Sequence, residues 1–478
     1  MNESEELLDN KISKASKLFS VTEIIAKIFV PITNMILARI ISPDEFGIIA
    51  SITMIVSFVD LFTEAGFQKY IIQKSISNEL EERYYNIAFT SNIVLSALCY
   101  LMIVTFRIPI AKLLGSTELA LPLCVASLSL IITAFTSVQT GVYRRNLNYG
   151  IISLTRILSV LIPFVITIPL AFLGYGIWSL IIGSLFGNIT VLVTMFIKSK
   201  WKPKLMFNVY LLKEMLNFSA WSMGEAITIW AGTYVGVFLL TIFKNEFYSG
   251  LYKVSLTTTE GILATIYAPI ISVMYASLPK YKMNLDKLFE KYVQFVSKMG
   301  LILIPLGVGI YLYKDIVTYI LLGKNWVDAE NFIGIWGIVV SLTVLIGQSG
   351  FEFYRSIGNA KLPFIIQGTF IILLIISLRI AVNHSYNTFI VVNSVVKLSI
   401  IILNLLFLKF MYKLPITKLL NSIIPYILST LVMSFISIQI RKISDSFTWS
   451  IVSILICVIS YFTVLFIIKK IVSTRMDR

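Results

Sequence analysis

The sequence predicts an all-α membrane protein of about fourteen transmembrane helices with both termini on the cytoplasmic side. Three observations carry this. Of 478 residues, 57% are hydrophobic and 14% charged, whereas soluble domains are about 45–50% apolar and about a quarter charged. Apolar runs long enough to cross a bilayer, about 20 residues each, recur along the whole chain. The basic residues alternate between the segments that join those runs, which fixes the parity of the count.

Residues 1–16 open acidic and turn basic at Lys11 and Lys14. They lack the short apolar core and small-residue cleavage site of a signal peptide and read as a cytoplasmic amphipathic lead-in. Spans follow at 17–41, 46–69, 84–106, 119–143, 150–171, 175–197, 215–241, 247–275, 291–313, 328–354, 362–382, 386–410, 418–439 and 447–470. Turn chemistry marks the breaks at Ser42-Pro43-Asp44, Gly174-Tyr175-Gly176, Gly323-Lys324-Asn325 and Asn383-His384-Ser385. Residues 471–478 form a cytoplasmic tail.

With the N-terminus inside, the inner segments hold 26 Lys and Arg and the outer ones 9. Adding or removing one span scrambles that bias, so the positive-inside rule supports an even count. The same rule accounts for the net charge of +15, so nucleic acid is not called for as a partner. Cys99, Cys124 and Cys457 are odd in number, sit in apolar runs and form no CxxC; they read as buried thiols without a disulfide or metal framework. The single histidine, His384, lies in a loop, which argues against a multi-histidine metal site or a Ser-His-Asp triad. The loops leave no room for a soluble catalytic domain. The expectation is therefore a membrane protein that is not an enzyme, with no metal and no cofactor.

An internal repeat is visible. Glu23 precedes Phe46 by 23 residues, and Glu225 precedes Tyr248 by 23, each before a junction of similar texture, LARIISPDEFG and LLTIFKNEFYSG. Such repeats are common in transporters. The repeated spans also carry polar stripes: Ser16, Ser20, Glu23, Lys27 and Asn34 in the first; Thr53, Ser57, Asp60 and Glu64 in the second; Glu225, Thr228 and Gly232 in the seventh; Lys253, Thr257 and Glu260 in the eighth. Steps of three, four and seven keep each set on one helix face. Ionisable residues at mid-bilayer cost about 2.5–3.5 kcal/mol on insertion scales and usually face a bundle interior or water.

Local pairing is the competing reading, since Glu23 and Lys27 are four apart. Pro31 removes the hydrogen bond to the Lys27 carbonyl, and Pro269 does the same to Thr265. Arg156 lies inside the fifth span, while Lys298 and Lys397 read as shallow enough to snorkel. Gln348, Glu352 and Arg355 form a stripe at the inner end of the tenth span, a candidate gate. Trp230 and Trp336 read as interface belts or packing. Asp44 and Glu45 read as acids at the N-terminus of the second helix, against a rival reading as a metal or base pair.

The junction LARIISPDEFGIIA and the segment TEAGFQKYIIQ resemble the oligosaccharide flippases of the polysaccharide-biosynthesis family, the Wzx-type lipopolysaccharide and capsule exporters. Their superfamily is shared with lipid II flippases and multidrug/toxin extruders. RYYNIAFTSN, YGIWSLIIGSLFG, SGLYKVSLTTTEGILATIYAPIISVMYASLPKY and GKNWVDAENFIGIWG extend the resemblance over most of the chain. The resemblance implies an N-lobe over 17–197, a cytoplasmic linker at 198–214, a C-lobe over 215–410 and two extra helices within 418–470, around a V-shaped central cavity. It implies alternating access and a cargo of oligosaccharide on an undecaprenyl pyrophosphate carrier, with polysaccharide polymerase and chain-length proteins as candidate partners.

On this reading Lys27, Lys253, Arg156 and Lys298 meet the anionic head group, and Asn34 and Thr257 bond sugar hydroxyls. Glu23, Asp60, Glu64, Glu225 and Glu260 couple transport to H+ or Na+, or balance the cations. The rivals are a multidrug or cation antiporter of the same superfamily, favoured by the acids, and a membrane polysaccharide polymerase or ligase, disfavoured by the short outer loops.

Overall fold

The computed structural model of the protein describes residues 22–476, apart from residues 24, 27, 65–66, 74–77, 200 and 360 and a few helical side chains. Among the described residues, thirteen helices are long and apolar enough to cross a membrane, and each overlaps one predicted span. The first predicted span is represented by the shorter apolar helix α1 (Ile28–Leu37), with Thr22 and Glu23 on the helical stretch before it.

The chain divides into two compact units, Met1–Lys253 and Val254–Arg478. The first holds α2 (Pro43–Glu64), α3 (Phe67–Gln73), α4 (Asn78–Thr105), α5 (Arg107–Leu113), α6 (Ala120–Arg145), α7 (Tyr149–Phe172), α8 (Ile177–Lys198), α9 (Val209–Phe243) and the start of α10 (Glu246–Ser277). The second holds the rest of α10, then α11 (Leu285–Leu312), α12 (Lys314–Leu321), α13 (Glu330–Leu342), α14 (Ser349–Ser356), α15 (Lys361–Ala381), α16 (Tyr386–Phe410), α17 (Ile416–Arg441) and α18 (Phe447–Met476).

In the first unit, α6 packs against α2, α3, α4 and α8, and α7 and α8 form a tight hairpin. The hairpin uses Gly183 and Gly187 of α8, a small-xxx-small step that lets backbones approach. Cβ atoms there would overlap Thr167 and Pro163 of α7. The boundary between the units falls inside α10, and α9 packs against α2, α3 and α4. Residues 209–214 of the predicted linker are helical, because Asn208 caps α9 by accepting from the Leu211 N–H at 3.1 Å.

In the second unit, α11 packs on α13 and α17, α15 on α16, and α17 on α18. The tenth span is not one uniform helix. A 3-10 stretch (Lys324–Ala329) leads into α13, and a π-helical turn over Thr343–Gln348 separates α13 from α14. This span is the most enclosed, with 78% of its apolar window buried against 17–39% in the other twelve. Large apolar side chains such as Leu101, Phe186, Ile376, Val395 and Phe466 stay exposed, as suits helices solvated by lipid.

Candidate functional site

The site begins with how α2 and α10 start. Ser42 and Glu45 make a reciprocal capping box: the Glu45 N–H donates to Ser42 Oγ at 3.3 Å and the Ser42 N–H to Glu45 Oε2 at 3.1 Å. Glu45 is thus a helix cap, as one of the two sequence readings had it. Asn245 caps α10 in the same way, accepting from the Tyr248 N–H at 3.2 Å. The two caps are 203 residues apart, and so are Gly47 and Gly250. A Cβ at Gly47 would overlap the Glu246 carbonyl, and one at Gly250 the Pro43 carbonyl. The contact is reciprocal, each glycine meeting the residue four before the other. The repeat is therefore in register at 203 residues, one more than the sequence pairing of Phe46 with Tyr248. The caps fix the register, and the aromatic texture misled by one place.

This crossing sets the polar faces of α2, α9 and α10 together. Buried Ser51 and Thr241 share a hydrogen bond of 2.8 Å. Farther along α2, Ser57 Oγ accepts from the Trp230 indole N–H at 3.1 Å. Trp230 also lies 4.8 Å from Phe58 and 5.5 Å from Tyr234, centroid to centroid. Lys253 of α10 holds its ammonium 4.1 Å from the Tyr234 ring centroid. One turn along α2, Asp60 accepts from the Thr133 hydroxyl of α6 at 3.1 Å. Ser57 of the predicted stripe on the second helix and Lys253 of that on the eighth thus border the same aromatic pair, Trp230 and Tyr234.

A second neighbourhood in the same unit joins the first and fifth spans. Arg156 Nε lies 2.9 Å from Glu23 Oε1, with the two side chains 40% and 29% exposed. Thr22 donates to Ser153 at 3.4 Å, and Phe29 stacks edge-on to Phe164 at 5.8 Å. Asn34 is half-buried. Lys27, the predicted local partner of Glu23, lies outside the described residues, as do the side chains of Glu64 and Glu225.

The second unit gathers Glu260, Tyr267, Gln348 and Lys397. Tyr267 hydrogen-bonds Gln348 and feels the charge of Glu260, and Glu260 is in electrostatic range of Lys397. Lys397 does not snorkel to a helix end. It sits near the middle of α16, with its ammonium 5.0 Å from the Phe370 ring and 5.8 Å from that of Trp336. Trp336 is 2% exposed and belongs to no belt. Arg355 closes on Glu352 at 2.7 Å, so two members of the predicted gate pair with each other, while Gln348 turns to Tyr267. The Thr257 hydroxyl donates to the Val254 carbonyl at 3.3 Å. Lys298 is exposed on α11.

Sequence reasoning missed three groups. Trp230 was read as packing, Lys397 as shallow, and Glu214 not at all. The Glu214 carboxylate accepts from the Tyr70 hydroxyl at 2.8 Å and the Tyr84 hydroxyl at 2.9 Å, tying α3 and α4 to the start of α9. Burial, and then the hydrogen bond to Glu214, push the Tyr70 hydroxyl well above the usual tyrosine range. None of these carries a local motif; each depends on a partner more than fifty residues away.

The comparisons agree with this architecture. Residues 36–331 match the family described as polysaccharide biosynthesis protein. The succinoglycan biosynthesis transport protein ExoT of Rhizobium meliloti (strain 1021) is 22% identical over 70% of this chain and 67% of its own length. The teichuronic acid biosynthesis protein TuaB of Bacillus subtilis (strain 168) is 20% identical over 82% of this chain and 81% of its own. Among solved structures, the lipid II flippase MurJ in an inward closed conformation superposes with a TM-score of 0.77 at 18% identity, covering 96% of this chain and all of that one. An inward-facing multidrug resistance transporter of the MATE family gives 0.64 at 14% identity, covering 84% and 99%. The chain is a multi-pass membrane protein of the polysaccharide biosynthesis family, and it shares its fold with the MurJ and MATE transporter structures.

Proposed function

We propose that the chain is a flippase that moves undecaprenyl-pyrophosphate-linked oligosaccharide from the cytoplasmic to the outer leaflet of the bacterial inner membrane for surface polysaccharide assembly. The family match over residues 36–331 carries this reading; the fold shared with a lipid II flippase supports it. The physical task is to carry a polar, anionic head group across about 30 Å of hydrocarbon while the lipid tail stays in the bilayer.

In this reading the N-lobe (17–197) and the C-lobe (215–410) alternate access to the two sides, with 198–214 as linker. Lys253 and Lys27 meet the pyrophosphate as point charges. Arg156 joins them by exchanging Glu23 for the anionic ligand, and Lys298 acts at the cytoplasmic end. Asn34 and Thr257 bond sugar hydroxyls. Asp60, Glu64, Glu225 and Glu260 take up a coupling H+ or Na+ or balance the cations, and Gln348, Glu352 and Arg355 gate. Polymerase and chain-length proteins receive the cargo.

The similarity in fold to a multidrug resistance transporter favours a second reading, a drug or cation antiporter. Deleting the gene separates the two. A flippase strain accumulates lipid-linked oligosaccharide on its inner leaflet and keeps its drug tolerance. An antiporter strain loses tolerance and shows no such accumulation.

A further inference from the structure

The first unit contains a cavity of about 730 Å³, away from the polar stripes of α2, α9 and α10 and within the range of about 300–1,000 Å³ of small-ligand sites. It lies where α4 begins, α6 hands over to α7, and α8 ends. Its walls are aromatic and fixed. The Tyr143 hydroxyl donates to the Met195 carbonyl at 3.1 Å, and the Tyr85 hydroxyl to Glu81 at 3.1 Å. Trp201 stands edge-on to Tyr85 at 5.8 Å. Its indole N–H is buried and meets no acceptor among the described residues. Glu81 is itself held by Arg145 at 2.7 Å.

The rim is polar and open. Glu82, Asn146, Asn148 and Lys198 line the cavity and are exposed. Leu147, between the two asparagines, has φ +54°, a conformation that side chains other than Gly and Asn rarely adopt. The Asn148 N–H returns to the Tyr143 carbonyl at 2.9 Å. A strained leucine that presents two amides beside an aromatic wall is the kind of outlier found at ligand clamps.

The lining chemistry selects the ligand class. Glu81 is already paired with Arg145, and Glu82 balances Lys198, so the lining offers no excess of cation to draw a phosphate or pyrophosphate. Flat aromatic faces, paired amides and an unmet indole donor suit a neutral, hydroxyl-rich ring with one apolar face. We propose that this cavity is a binding site for an uncharged sugar unit of the oligosaccharide head group, separate from the cations that meet its pyrophosphate. This rests on the flippase reading, and it divides the cargo between two places on the chain.

The test uses the full chain in lipid nanodiscs and two probes: the oligosaccharide released by mild acid from the host's own lipid-linked intermediate, and inorganic pyrophosphate. Saturation-transfer NMR should show saturable oligosaccharide binding that excess pyrophosphate does not displace. Tyr149 also lines the cavity; Tyr149→Ala and Asn148→Ala should each weaken binding about tenfold, the loss of one ring or amide contact, while Tyr149→Phe retains it. No binding to the unmodified chain, equal affinity in both alanine variants, or displacement by pyrophosphate would overturn the assignment. If any of these occurs while the deletion strain still accumulates inner-leaflet lipid-linked oligosaccharide, the cavity assignment fails and the flippase reading stands. A deletion strain without accumulation sinks the flippase reading itself.

Discussion

Arg156 in the first unit and Lys397 in the second are both basic residues set within membrane helices, but their surroundings differ. Arg156 is in direct contact with a carboxylate, 2.9 Å from Glu23, and the pair is partly open. Lys397 lies between two aromatic faces, Phe370 and Trp336, with Glu260 in electrostatic range. A guanidinium in a salt bridge presents little net charge, so an anionic ligand reaches it only by displacing the acid. An ammonium over aromatic rings is held by the ring quadrupoles, a contact worth about 2 kcal/mol or more when desolvated, and a ligand need not displace a bonded acid to reach it. Lys253, 4.1 Å from the Tyr234 ring centroid, uses an aromatic face in the first unit. The two devices predict different responses to mutation.

The largest effect is expected where cations meet the cargo. Lys27→Ala combined with Lys253→Ala should abolish surface polysaccharide, with the protein still inserted by membrane fractionation. Normal polysaccharide in that strain removes both lysines from the mechanism. Next, Lys397→Met should cut transport by about tenfold or more while leaving thermal stability nearly unchanged, because a volume-similar apolar group replaces a costly buried charge. If Lys397→Met transports normally, the ammonium is only packing.

Arg156 separates ligand contact from pairing. As a purely structural pair, Glu23→Gln and Arg156→Gln would each impair export and the double variant would recover, as coupled neighbours do. If Arg156 meets the cargo, Arg156→Gln lowers export several-fold whether or not Glu23 is changed. Gly47→Ala and Gly250→Ala test the reciprocal helix crossing. Overpacking costs about 1–3 kcal/mol, and symmetry requires similar losses of thermal stability from the two; unequal losses would break the repeat. The smallest effect is Tyr70→Phe, which removes one of two tyrosine hydrogen bonds to the Glu214 carboxylate while Tyr84 keeps the other, a net loss of about 1 kcal/mol. Because the Tyr70 hydroxyl is pushed up in the folded chain, its contribution is complete below the ordinary tyrosine pKa of about 10 and shrinks as pH rises beyond it. A stability loss in Tyr70→Phe that appears only in acid would contradict that sign.

The spans were legible because hydropathy adds over about 20 residues, and no single contact decides the sum. Thirteen predicted spans accordingly coincide with apolar helices. The π-helical turn at Thr343–Gln348 was not legible, since it sits within an apolar run. Pairings were harder. Glu23 suggests Lys27, which lies outside the described residues, and nothing near Glu23 in the sequence points to its contact with Arg156, 133 residues on. Lys397 read as shallow because nothing in the sequence near it points to Phe370 or Trp336. Ser42 with Glu45 was readable because a capping box is local. The polar stripes were readable as faces, while the indole and phenol beside Ser57 and Lys253 were not.

The central claim, translocation of a lipid-linked oligosaccharide, is tested most directly with the purified chain in liposomes. Fluorescent undecaprenyl-pyrophosphate oligosaccharide is placed in one leaflet, and its arrival in the other is read by a membrane-impermeant quencher. The account predicts transfer by the unmodified chain and none by the Lys27→Ala, Lys253→Ala double variant. No transfer by a folded, reconstituted chain that instead extrudes an organic cation against a proton or sodium gradient would contradict it.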